Sequence, residues 1–244
     1  MQCSPRIVET HLSNITPPHP LLMMLESRVV AETGYLLLTL PQLRLQAKRG
    51  KGEPVMVLPG FMADDRSTSL LRGFLKNIGY HTYPWQLGVN RRPMLEILPV
   101  LREMMEKITT GSNQKIRLIG WSRGGILSRE LARDCPDLVE KVITIGSPVK
   151  GGIAASSIGK WVQRETGLSP PPRQMATITQ QRDRSPISVP VRAIYSKTDG
   201  VVAWQACIDD VTEDVKHYEV VSSHMGMGSN VEVFRLIPRL LSEP

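Results

Sequence analysis

The sequence predicts an α/β fold, a mostly parallel central sheet with helices on both faces and an inserted cap. Three observations predict it. Short apolar runs rich in β-branched residues alternate with longer stretches of helical periodicity from about residue 54 to 241, the order that builds a parallel sheet covered on both sides. One such run, Lys115-Ile116-Arg117-Leu118-Ile119, leads into Gly120-Trp121-Ser122-Arg123-Gly124 and then into a helix-like stretch. The chain has 244 residues, 41% of them apolar and 22% charged, enough for one large domain with a full core.

The elements follow in order. Residues 1–19 are polar and proline-rich and read as a loose lead-in. From Leu21 to Leu40 apolar residues recur at helical spacing (Leu22, Leu25, Val29, Leu36, Leu40), which predicts an amphipathic helix covering a core. Glu26, Arg28 and Glu32 interrupt that stretch and exclude a membrane span, while contact with a membrane surface stays open. Pro54 to Pro59 is a buried strand, Arg66 to Asn77 a helix stopped at Gly79, and Tyr80 to Tyr83 a short strand. A helix over Pro93 to Ile108, a strand over Lys115 to Trp121, a helix over Gly125 to Arg133 and a strand over Val139 to Ile145 come next. Gly151 to Val189 breaks the alternation with Gly151-Gly152, Pro170-Pro171-Pro172 and a polar tract, and reads as a cap or lid. Strands at Val191 to Tyr195 and His217 to Val221 and a helix at Val231 to Leu241 close the chain. The expected organisation is a lead-in and helix over 1–53 and one domain over 54–244.

Charge and cysteine content narrow the function. The net charge of +7 is spread over scattered lysines and arginines, and no nucleic-acid motif accompanies them, so a nucleic-acid partner is not expected. Cys3, Cys135 and Cys207 are far apart and form no CxxC pair, which argues against a disulfide framework and a zinc site. The opening residues lack the basic and apolar regions of a secretory signal, and a cytoplasmic location is the default expectation.

The chemistry gathers at three places. A serine hydroxyl is a weak nucleophile until it is lifted out of the backbone and set beside a base. A sharp strand-to-helix turn does the lifting, and Gly120 and Gly124 occupy the flanking positions where that turn leaves little room. The base needs an orienting carboxylate. His224 follows the last predicted strand and Asp199 the strand before it, so both belong at the carboxyl edge of the sheet with Ser122. Asp209, Asp210 and Asp214 are rivals for the acid, better explained as a solvated acidic face, and His217 reads as a surface residue. Acyl transfer also requires donors for an oxyanion. The backbone N–H groups of Arg123, after the serine, and Phe61, in the loop Leu58-Pro59-Gly60-Phe61-Met62, are the candidates, with Met62 as second choice.

These motifs together resemble the α/β-hydrolase superfamily, nearest its bacterial lipase and esterase-like members, from about Pro54 to Leu241. The Ser–Asp–His order along the chain, Thr144-Ile145-Gly146-Ser147-Pro148 and Ser223-His224-Met225-Gly226 belong to the same likeness. The resemblance implies an α/β-hydrolase fold and a serine hydrolase that cleaves carboxylic esters through an acyl-enzyme, with no cofactor or metal required. Its implied partner is a small ester, and apolar residues in 151–189 are candidates for an acyl pocket or for packing the cap. The chain departs from the lipases at Pro59, where they carry histidine, and at Arg123, whose side chain reads either as a surface group or as a bias toward anionic substrates. The first two strands of the superfamily sheet are missing, and the Leu21 to Leu40 helix stands in their place. An acyltransferase, an amidase or a non-catalytic binding protein on the same fold are the alternatives.

Overall fold

The computed structural model describes residues 15–150 and 185–243. Among them six strands form one sheet: β1 (Pro54–Leu58), β2 (His81–Pro84), β3 (Ile116–Trp121), β4 (Val139–Ile145), β5 (Val191–Tyr195) and β6 (Val215–Glu219). Their order is β2-β1-β3-β4-β5-β6, and every pairing is parallel. The helices are α1 (Pro20–Met24), α2 (Val29–Gln46), α3 (Ser69–Asn77), α4 (Met94–Ser112), α5 (Arg123–Asp134) and α6 (Val231–Ser242).

Alternation along each strand divides the core. Val55 and Val57 of β1, Ile119 and Trp121 of β3 and Ile143 and Ile145 of β4 face one side, where α2, α3 and α6 cover them. Met56 and Leu58, Ile116 and Leu118, and Val142 face the other, beneath α4 and α5. Every residue of β1 and β3 is buried, as strands covered on both faces require. β1 is the point where the winding reverses: the chain leaves it through α3 on one face to reach β2, then returns through α4 on the other to reach β3. Such a switch opens a crevice at the carboxyl ends of β1 and β3. The loop after β1 and the turn after β3 meet there.

The N-terminal helix differs from its expected form. It is broken into α1, a 3-10 turn over Leu25–Arg28, and α2. Leu36, Leu40 and Leu43 pack on the core, but Val30, Leu38 and Leu45 on the outward side are at least 76% exposed, so α2 is apolar on both faces rather than amphipathic. Of its charged residues, Glu32 meets the loop after β6. No helix among the described residues is long and apolar enough to cross a membrane. No strand among the described residues precedes Pro54. The final strand begins two residues earlier than anticipated. Of the expected cap, residues 151–184 lie outside the described residues, and residues 185–189 carry no helix or strand.

Candidate active site

The pentapeptide after β3 forms a tight turn into α5. Ser122 sits at its apex with φ +53° and ψ −119°, a conformation that L-residues seldom adopt. Its N–H donates to the Ile145 carbonyl oxygen at 2.8 Å. The two outer glycines are steric necessities. A Cβ on Gly120 would overlap the backbone of Gly124 and Gly125, and one on Gly124 would overlap the Leu58 carbonyl.

Asp199 and His224 meet below this turn. Asp199 Oδ2 and His224 Nδ1 are 2.7 Å apart, and both residues are buried. The other carboxylate oxygen, Oδ1, accepts from the N–H groups of Val201 (2.8 Å) and Val202 (2.7 Å), which fixes the acid in the turn after β5. With Nδ1–H donated to the carboxylate, Nε2 is the ring nitrogen left to act as base. Ser122 and His224 are bracketed by one segment. Ser122 is bonded to Ile145, and the next residue, Gly146, lies so close to the imidazole that a Cβ there would stand 3.3 Å from Nδ1. The Trp121 ring centroid is 6.3 Å from that of His224. No hydrogen bond joins Ser122 Oγ to the ring, and contacts of this kind commonly tighten only around substrate. Burial pushes the His224 pKa down. The Asp199 carboxylate, by charge and by hydrogen bond, and the Glu26 carboxylate outweigh burial, and the net displacement is above the ordinary 6.5.

The loop after β1 lies against the serine. A Cβ on Gly60 would stand 3.4 Å from Ser122 Cβ. Met62 N–H donates to the Asn90 carbonyl at 3.0 Å, which commits the second-choice donor and leaves Phe61 N–H as the loop's candidate. Asn90, fully buried, organises this region: its Nδ2 donates to the Pro59 carbonyl at 2.8 Å, and its Oδ1 accepts from Arg123 Nη1 at 2.8 Å. Arg123 also donates to the Arg92 carbonyl, and its guanidinium stands 5.7 Å from the Phe61 ring centroid. Burial pushes its pKa down to about 10. The side chain is therefore neither a free surface group nor a free cation for substrate; it braces the two loops that carry the candidate oxyanion donors. Asn90→Ala is expected to lower kcat about tenfold with KM little changed, and to cost about 1–3 kcal/mol of stability by leaving buried polar groups unpaired. Steady-state kinetics and a urea titration check both.

The rivals separate clearly. Asp210, paired with Lys150 at 2.5 Å, and Asp214 have half-exposed side chains, as a solvated face requires. Asp209 does not belong with them. It is 3% exposed and forms a 2.6 Å ion pair with the equally buried Arg129. Adjacent backbone turns the side chain inward, where Oδ1 accepts from the N–H groups of Val211 and Thr212. His217 is likewise half-buried in β6 rather than a surface residue, its Nε2 accepting from Asp209 N–H at 3.0 Å. Asn90 and Glu26 escaped the sequence reading. Asn90 gave no signal, and Glu26 had one only in the charges that interrupt an apolar stretch.

With this geometry described, comparison with known proteins is informative. Among curated proteins no relative matches the chain. Among solved structures, a Bacillus licheniformis lipase superposes with a TM-score of 0.60 at 14% identity, over 81% of this chain and 95% of that one. Lipase B of Aspergillus fumigatus gives 0.59 at 17% identity over 81% and 55%. A Paleococcus ferrophilus monoacylglycerol lipase gives 0.54 at 15% over 80% and 95%. These likenesses establish the α/β-hydrolase fold. The family model described as palmitoyl protein thioesterase matches residues 54–214, a span that holds Ser122 and Asp199 and stops short of His224. The chain belongs to the palmitoyl protein thioesterase family of the α/β-hydrolase superfamily.

Proposed function

We propose that the protein is a serine hydrolase of acyl esters, thioesters included, working through Ser122, His224 and Asp199. The observation that carries the reading is the buried 2.7 Å Asp199–His224 pair beside a serine held at positive φ on a strand-to-helix turn. Ser122 Oγ attacks the acyl carbon while His224 Nε2 takes its proton. The tetrahedral oxyanion is held by the N–H groups of Phe61 and Arg123. Its collapse expels the alcohol or thiol, which takes the proton back from Nε2. Water, deprotonated by the same nitrogen, then releases the acid. Asp199 holds the tautomer and balances the imidazolium. The family match favours acyl thioesters as the first substrates to test.

The experiment is labelling with a fluorophosphonate followed by peptide mass spectrometry, run beside hydrolysis of acyl thioesters and esters of graded chain length. Labelling at Ser122 that vanishes in His224→Ala is expected; a folded protein that neither labels nor hydrolyses any of them would exclude the reading. Adding alcohol acceptors separates an acyltransferase, which forms new esters at the expense of free acid. The free enzyme needs His224 neutral, and its pKa lies above the ordinary value. So kcat/KM is expected to fall on the acid side with a midpoint above 6.5, read from a pH–rate profile.

A further inference from the structure

The N-terminal segment, outside the family match, reaches the catalytic loops with three charged side chains. Glu26 Oε1 accepts from the backbone N–H groups of Gly200 (2.8 Å) and His224 (2.9 Å), and its Oε2 from that of Met225 (2.9 Å). Glu32 accepts from the Ser223 N–H (2.9 Å) and hydroxyl (2.7 Å). Arg28 Nη2 donates to the carbonyl (2.7 Å) and the hydroxyl (2.9 Å) of Thr198. The packing leaves no slack. A Cβ on Gly200 would overlap the Leu22 carbonyl, and one on Gly226 would overlap the Glu32 carboxylate.

We propose that Glu26 is a positioning residue for the triad: one carboxylate ties the loop of the acid to the loop of the base and adds negative charge beside the imidazole. The inference rests on the triad reading above. Its three hydrogen bonds support it. A carboxylate accepting three backbone N–H groups is a strong, charge-assisted clamp, and those N–H groups belong to the residue after Asp199, to His224 itself and to the residue after it. Among the described residues, the charged and titratable groups around His224 are Asp199 from the β5 loop and Glu26, Arg28 and Glu32 from the N-terminal segment, with the Cys207 thiol behind Asp199. Removing the Glu26 charge withdraws support from the imidazolium. Shortening the side chain keeps the charge and loosens the loops.

The test compares wild type, Glu26→Gln and Glu26→Asp in pH–rate profiles of a short-chain p-nitrophenyl ester, with thermal melts as the folding control. Glu26→Gln is expected to lower kcat about tenfold or more, leave KM within about twofold, and move the acid limb of kcat/KM to lower pH. Glu26→Asp is expected to lower kcat while the limb stays in place, and it carries the test alone if Glu26→Gln does not fold. A folded variant with kcat and limb both at wild-type values overturns the inference. A wild type that neither labels with fluorophosphonate nor hydrolyses the ester instead removes the triad reading on which it rests.

Discussion

Replacing Ser122 with alanine is expected to reduce turnover by about 10³-fold or more, with the folded state intact. The size follows from the proposed mechanism: without Oγ no acyl-enzyme forms, and the base and oxyanion donors have nothing to act on. The backbone adds a second expectation. Ser122 holds φ +53° and ψ −119°, a strain of about 1–3 kcal/mol that the surrounding turn imposes. Alanine keeps the Cβ and so keeps the strain. Glycine relieves it, and Ser122→Gly should melt above Ser122→Ala by about 2–4 °C for each kcal/mol released. Two inactive variants with distinct melting points would show that the nucleophile's position is held against the local preference of the chain. Equal melting points would mean that the turn stores nothing.

Asp209→Asn carries the largest expected loss of stability. The substitution leaves Arg129 charged and buried without its counter-ion, and breaking a pair of this kind costs about 3–5 kcal/mol. Kinetics per folded molecule should change little, because Asp209 touches no residue of the proposed triad. The pH dependence is specific. Burial pushes the Asp209 carboxyl up, but Arg129 and the hydrogen bonds of Val211 and Thr212 outweigh it and set the pKa at about 2, against an ordinary 3.8. A carboxyl depressed in the folded state stabilises it fully above the unfolded pKa, and that contribution fades as pH falls from about 4 through 2, about 2 kcal/mol in all. Urea unfolding at pH 7 and at pH 3 measures part of it: by pH 3 the wild type loses about half of this increment, about 1 kcal/mol, and Asp209→Asn has none to lose.

Most of the fold was legible because it is written in local patterns. The strand at Val139–Ile145 matches its expected bounds in full, and the turn at Gly120–Gly124 was readable because sterics leave few other residues possible there. Ser122, Asp199 and His224 stood out as candidates because each follows a strand, and parallel topology brings such ends to one edge. What resisted reading depends on partners distant in sequence. Asp209 resembles its exposed neighbours until Arg129, far away on α5, draws it inward. The α2 helix has leucines on every side, so periodicity alone does not tell which stripe is buried. Asn90 sits in a loop without a motif, and its role exists only because β1 and β3 are neighbours. The Arg123 side chain took its meaning from the same loop.

The clamp between Glu26 and His224 spans 198 residues, nearly the whole chain, and this sets a schedule for biosynthesis. On the ribosome Glu26 emerges well before the amides of Gly200, His224 and Met225 that it holds. Until then the Glu26 carboxylate lacks its His224 and Met225 partners, and Ser122 is without its proposed base, His224. On the proposed mechanism, a nascent chain stalled before residue 224 lacks its base and is expected to hydrolyse nothing until the segments around Glu26 and His224 close on each other.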